Sequence, residues 1–387
     1  MSQYKKAILF LICSNCILIH AQQLAFNTDS LNGKKISLQI LNDKLLASLK
    51  DSSVGWAFTI WQNDKPVFQN AGGYKVAPAD SKNGKGLPFT NDTRLHIASL
   101  SKSITAIAVA KLVEQKKLSW GDKIKKFLPA SWKLHPSFDT TTIRQLVIME
   151  SGLDGPLDAV SSGTLSLKQL LEKGPNPEKI GTFNYQNTSY GLLRIIIAFA
   201  TGFEEYSGVL LNDSIGAVTV YQYIRFVNEH LFKPAGIAWA ECRTTEAEPA
   251  LYYPFPLDSA KGQLTGHGTP KQDGDLSAYA GGFGWYLSAT DAGKLLTAVF
   301  YSKKILSDSI LNQLIELKFP FYIRNRKYGQ YFGTGGDWGG PLPGNRWAGI
   351  HTYFICYPSN IRVVVFINSG EGSPSGKIMR AYMNSFQ

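Results

Sequence analysis

Strand patterns sit at the two ends of the chain and helix patterns fill the middle, and this arrangement limits the fold more than any other feature. Near the start, Val54 to Val76 (VGWAFTIWQNDKPVFQNAGGYKV) reads as strand, tight turn at Asn63-Asp64, and strand. Near the end, His351 to Tyr357, a turn at Pro358-Ser359-Asn360 and Arg362 to Asn368 read as a second hairpin, and strand character returns only there. Between them apolar residues recur at helical spacing. Thr140 to Leu153 opens on capping threonines and closes at Gly152; Thr188 to Phe203 closes at Gly202; Val220 to Ile237 stops at Pro234; Ser288 to Phe300 opens on a capping residue. Ser37 to Ser53 and Gly376 to Phe386 add a helix at either end. The expectation is an α+β fold (an α/β sandwich). Its antiparallel sheet is built from both termini and flanked by helices, and a mainly helical lobe is inserted over roughly residues 118–260. A cleft between lobe and sheet is the expected place for a small-molecule site. The 387 residues, 44% hydrophobic and 12% aromatic, suffice for such a core.

The first residues have the form of an export signal. Lys5 and Lys6 precede the apolar run Ala7 to Ile19, too short to span a bilayer comfortably, and Ala21 ends a cleavage site. Residues 1–21 are thus expected to be removed, leaving 22–387 as one domain in the periplasm or outside the cell; a retained anchor is the alternative. No later stretch is long and apolar enough to span a membrane. Cys13 and Cys16 leave with the signal, so Cys242 and Cys356 remain, with their pairing open, and a disulfide-stapled scaffold is excluded. The net charge of +11 comes from scattered cations, apart from the short run Lys123 to Lys126. Without a nucleic-acid motif this reads as a solvated basic surface, and no nucleic-acid partner is expected.

The chemistry concentrates in Arg94 to Leu112 (RLHIASLSKSITAIAVAKL). Ser99 and Lys102, three apart, fall on one face at the start of an apolar helix. A serine hydroxyl needs a base, and a lysine serves once burial lowers its pKa. Helix N-terminal N–H groups suit a developing oxyanion. The spacing alone is weak: Ser2 and Lys5 share it inside the export signal, and a serine-capped helix with a surface lysine explains it equally. Further on, Phe183 to Leu193 (FNYQNTSYGLL) offers Tyr185 as a proton donor or acceptor and Asn187 as a hydrogen-bonding partner for a lysine or a substrate amide.

The ordered set IASLSKSITA, LSWGDKIKKFLP, TTTIRQLVIMESGL, FNYQNTSYGLL, HLFKPAGI and YAGGFGWYLSATDAGKLL resembles class C-like β-lactamases, penicillin-binding carboxypeptidases and related serine esterases. The likeness covers most of Val54 to Asn368, and the Ser-x-x-Lys signature is one of its parts. It implies that Ser99 becomes acylated, that Lys102 and Tyr185 handle its proton and that of the leaving group, that Asn187 positions the substrate or the lysine, and that the Ser99 N–H forms half of an oxyanion hole. The implied substrate is a small-molecule or peptide ester or amide, with no cofactor.

The third family motif, Lys-Thr-Gly or His-Thr-Gly, is altered. Its best match is Gly333-Thr334-Gly335, followed by Gly336 and Asp337; Trp338-Gly339-Gly340 is a second candidate. The second oxyanion donor is then Gly336 or Gly340, with Thr334 and Gly335 lining the substrate site. Pro341 to Trp347 reads as an insertion before the terminal hairpin, and Arg346 is a replacement for the missing cation only by conjecture. Met149-Glu150-Ser151-Gly152 stands where the family usually has His-Thr-Ser-Gly. Loss of the cation that binds substrate carboxylates favours a carboxylesterase or D-amino-acid peptidase or amidase over a β-lactamase or DD-carboxypeptidase. A catalytically inactive binding domain is the third reading. The histidines, His96, His135, His230, His267 and His351, lack metal spacing, and His96 is expected to pack beside the active helix. No phosphate-binding glycine pattern or Gly-x-Ser-x-Gly elbow is present. Oligomeric state is open.

Overall fold

The computed structural model describes residues 34–50, 53–154, 164–202, 212–254, 274–326, 329–342, 346–369 and 374–387. The expected export signal, residues 1–21, lies outside the described residues. In chain order the strands are β1 (Gly55–Gln62), β2 (Lys65–Val76), β3 (Leu87–Pro88), β4 (Leu95–His96), β5 (Tyr253–Pro254), β6 (Tyr286–Leu287), β7 (Tyr322–Arg326), β8 (Gly329–Leu342), β9 (Arg346–Tyr357) and β10 (Ile361–Ile367). The α-helices are α1 (Leu38–Leu49), α2 (Ser101–Glu114), α3 (Ile143–Val147), α4 (Thr164–Lys173), α5 (Thr188–Ala200), α6 (Asn212–Val227), α7 (Ala289–Phe300), α8 (Asp308–Glu316) and α9 (Pro374–Met383).

The main sheet runs β3-β2-β1-β10-β9-β8-β7, with β5 pairing β9, and β1 from the N-terminal half lies antiparallel to β10 from the C-terminus. This is the expected α+β sandwich. Its central strands are buried on both faces, which is why Arg362 to Asn368 reads as a continuous apolar run rather than an alternating one. On one face Trp56, Phe58, Ile60, Val363 and Val365 pack with Leu41 and Leu45 of α1 and Ile378 and Tyr382 of α9. On the other, Ala57, Val364 and Phe366 join Leu295, Leu296 and Val299 of α7 and the apolar side chains of α2.

Helix α2 runs through the interior: every residue from Ser101 to Ala110 is buried. A helix apolar on all sides belongs in a core, and α2 packs on α5, itself buried from Thr188 to Ala198. Lys102 is carried inside by this placement.

Several expectations need correction. The Thr140–Leu153 helix is only the short α3, opened by a Thr142–Gln145 capping box; Met149, at φ +56°, turns the chain out of it. The Val220–Ile237 helix is α6, which begins earlier at Asn212, ends at Val227 and continues as a π turn over Asn228–Phe232. Strands β7 and β8 precede the terminal hairpin, and Pro341 to Trp347 is no insertion. Pro341 pairs with Trp347 and Leu342 with Arg346, extending one long β8–β9 ladder. The glycines of β8 hide it from a reading based on side-chain alternation, because a backbone ladder holds it. Cys242 and Cys356 are both buried free thiols.

Candidate active site

A sharp bend presents Ser99. From Leu95 to Ala110 every residue is buried except Ser99, which keeps partial exposure. Ala98, immediately before it, has φ +49°, a conformation that an alanine adopts at an energetic cost and that the surrounding structure must hold. That kink and the 3-10 turn Ala98–Leu100 feed directly into α2.

Lys102 Nζ lies 2.9 Å from Ser99 Oγ, 2.6 Å from Asn187 Oδ1 and 2.8 Å from the Gly282 carbonyl oxygen. Burial lowers its pKa from 10.5 to about 7. Asn187 Oδ1 and Gly282 O can only accept, so a neutral amine spends its two N–H bonds on them and leaves its lone pair for the Ser99 hydroxyl. Tyr185 OH approaches the same Ser99 Oγ from 2.7 Å. The Tyr185 phenol is raised above its ordinary range, chiefly by desolvation and further by the charge of Asp337, against the opposing hydrogen bond with Ser99. It stays protonated at neutral pH. The ammonium site of Lys102 is 5.1 Å from the centre of its ring.

Each partner is held by local structure. Asn184 N donates to Met149 O at 2.9 Å, and the Gln186 side chain exchanges hydrogen bonds with Ser189 at the start of α5, so both neighbours of Tyr185 are fixed. The divergent Met149–Gly152 segment thus anchors the tyrosine loop. Asn187 stands at the N-cap position of α5 but makes no side-chain cap, its oxygen being committed to Lys102. Gly282 was given no role by its sequence, although it lies in the segment YAGGFGW that carries the family resemblance. Gly281 at φ +101° turns that segment, and Thr105 Oγ1 donates to Gly281 O at 2.7 Å, fixing the carbonyl that follows.

On the sheet side, a Cβ at Gly336 would lie 2.5 Å from Ile97 O, 2.7 Å from Leu100 N and 2.9 Å from Ser99 N. Strand β8 therefore touches the backbone of the nucleophile turn at Gly336, and Thr352 Oγ1 ties the two by reaching both Ile97 O at 2.9 Å and Gly336 O at 3.2 Å. Gly335 faces the Tyr353 ring and Thr334 is buried. Trp338, of the rival triplet, packs on Phe283 and on the edge of His96. The side chain of Arg346 lies outside the described residues. His96 is fully buried, its Nε2 accepts from Gly284 N at 3.2 Å, and burial and the nearby Lys102 push its pKa to about 3, so it packs as a neutral ring.

The model of the family described as Beta-lactamase matches residues 42–386. The chain belongs to the Beta-lactamase family. Its Beta-lactamase-family relatives are serine hydrolases, and that is the class of this chain. PbpX of Bacillus subtilis (strain 168) is 27% identical over 68% of this chain, and the match spans only 60% of that protein's length. Teichoic acid D-alanine hydrolase of Staphylococcus aureus is 25% identical over 78% of this chain and 70% of its own. Among solved structures, a Beta-lactamase/D-alanine carboxypeptidase from Yersinia pestis shares the fold with a TM-score of 0.63 at 16% identity, covering 89% of this chain and 95% of that one.

Proposed function

We propose that this Beta-lactamase-family chain is an exported serine hydrolase that works through a Ser99 acyl-enzyme on small ester or amide substrates, as a carboxylesterase or D-amino-acid peptidase. The observation that carries this reading is the contact of one hydroxyl with two neutral groups of opposite use: the lone pair of Lys102 as base and the protonated phenol of Tyr185 as acid. Export rests on the Lys5-Lys6 leader and its apolar run; no helix among the described residues is long and apolar enough to cross a membrane.

In the first half-reaction Lys102 Nζ takes the Ser99 proton as Oγ bonds to the substrate carbonyl carbon. The oxyanion so formed lies against the Ser99 turn, where the backbone N–H is available beside Gly336. When the bond to the leaving group breaks, that group takes the Tyr185 proton, and the new Lys102 ammonium stabilises the phenolate for the interval. In the second half-reaction water gives a proton to the Tyr185 oxygen and hydroxide adds to the acyl carbon. Ser99 Oγ then leaves with the proton from Lys102. Both residues return to their starting states, and one water is consumed per bond broken.

D-alanyl substrates are favoured by the activities named for the Staphylococcus aureus and Yersinia pestis proteins. A β-lactamase or DD-carboxypeptidase is the second reading. It requires binding of a substrate carboxylate, and β8 carries no Lys or Arg from Gly329 to Leu342. Steady-state kinetics of the purified protein on p-nitrophenyl butyrate, a chromogenic cephalosporin and a D-Ala-D-Ala peptide test the choice. Ester turnover exceeding lactam and carboxypeptidase turnover supports the first reading; dominant cephalosporin or dipeptide hydrolysis replaces it with the second.

A further inference from the structure

The strand that should carry a cation carries a carboxylate instead. Asp337 directly follows Gly336, whose Cβ position is 2.9 Å from Ser99 N, so Asp337 leaves β8 at the edge of the nucleophile turn. Its side chain is 69% exposed, and its charge reaches the phenol of Tyr185, the partner of Ser99 Oγ. The carboxylate is oriented. Asp337 and His351 are register partners across β8 and β9, and His351 Nδ1 meets Asp337 Oδ1 at 2.5 Å. Oδ2 has no partner among the described residues. Beside Tyr185 stands an aromatic wall, in which Phe319 touches the rings of Phe183, Tyr185 and Tyr322 at centroid distances between 5.5 and 6.3 Å. Phe183 and Tyr322 are exposed. A protonated amine is the group that a fixed carboxylate and electron-rich ring faces attract together.

We infer that Asp337, oriented by His351, is a specificity-determining residue that selects substrates bearing a protonated amine near the scissile carbonyl and disfavours those bearing a carboxylate. This rests on the serine-hydrolase reading above and names its substrate class: aminoacyl esters or amides with a free amino group. The same charge turns the missing third-motif cation from a loss into a reversal of preference. Arg324, 5.8 Å from the Tyr322 ring, is the rival determinant on the aromatic wall and would favour anionic substrates.

The test is inhibition of p-nitrophenyl butyrate hydrolysis by three matched ligands: D-alaninamide, N-acetyl-D-alaninamide and N-succinyl-D-alaninamide, which are cationic, neutral and anionic. The expected order of binding is cationic, neutral, anionic, with about tenfold between the first two and a smaller gap in about 0.5 M salt, where exposed charges are screened. Asp337→Asn should bring the cationic-to-neutral ratio to within about twofold, Asp337→Lys should invert it, and His351→Ala should reduce it; Asp337→Glu should retain the preference. Each ratio is taken within one variant, so a general loss of activity does not move it. An unchanged ratio in Asp337→Asn, with Ser99-dependent ester turnover intact, overturns the role of Asp337 and leaves the hydrolase reading standing. A wild-type preference for the succinyl ligand that Arg324→Ala abolishes assigns selection to Arg324 and also overturns it. Absence of any Ser99-dependent ester turnover in the wild type removes both.

Discussion

Asn187 Oδ1 lies 2.6 Å from Lys102 Nζ, and the helix that Asn187 opens is left without the side-chain cap its position would normally supply. An N-cap is worth about 1 kcal/mol, so local stability is given up to orient the amine. Replacing Asn187 with Asp places a full negative charge against the amine and favours the ammonium. The acidic limb of the pH–kcat/KM profile should move up by about one unit or more, with lower activity at neutral pH and partial recovery at higher pH. A profile identical to wild type would show that this contact does not govern the lysine.

Because burial brings Lys102 to about 7, activity should rise through that pH as the amine loses its proton and then level off until other groups titrate. The kcat/KM of ester hydrolysis between about pH 5 and 9 reports this. Lys102→Met should lose about a thousandfold or more, because no other base touches Ser99 among the described residues.

The same shift has a consequence for stability. Between about pH 7 and the unfolded value of 10.5, the unfolded chain holds a proton on Lys102 that the native chain lacks, so stability should rise with pH across that window. From pH 7 to 9.5 the lysine contributes a gain of up to about 3 kcal/mol. Denaturant unfolding of wild type and Lys102→Met at both pH values isolates it: the wild type should gain more than the variant by roughly this amount, and parallel slopes would contradict a neutral buried amine.

Gly336 and its neighbour Gly335 make a paired test of how β8 meets the nucleophile. A methyl group at Gly336 would push against the fixed backbone of Ile97, Ser99 and Leu100. Gly336→Ala should therefore displace the turn and lower kcat by about a hundredfold. At Gly335 the nearest atoms belong to the Tyr353 side chain, 3.0 Å away, which can give way. Gly335→Ala should cost less than about tenfold. Equal effects on kcat would mean that the close approach at Gly336 is not what sets the geometry.

Much of this could be read from residue order. Helical spacing around α2, α5 and α7 and the apolar runs of β1 and β10 gave away the sandwich, because burial dictates both patterns. Ser99, Lys102, Tyr185 and Asn187 could be singled out because each stands at the mouth of a buried helix, where a polar group needs a reason. What stayed hidden has physical causes too. Strand β8 is rich in glycine and shows no alternation, so its pairing with β9 is invisible until the partner backbone is in place. Gly282 acts through a carbonyl, and main-chain groups leave no side-chain signal. The pairing of Asp337 with His351 depends on the register of two strands, one of them unrecognised.

Above all, Ser99 Oγ, between Lys102 and Tyr185, should behave as an activated nucleophile. Intact-protein mass spectrometry after exposure to a fluorophosphonate probe at neutral pH, with peptide mapping of the product, tests this most directly. One adduct is expected, on Ser99, formed in the wild type, much slower in Lys102→Met and absent in Ser99→Ala. An unmodified wild-type protein, or an adduct that persists in Ser99→Ala, would contradict it.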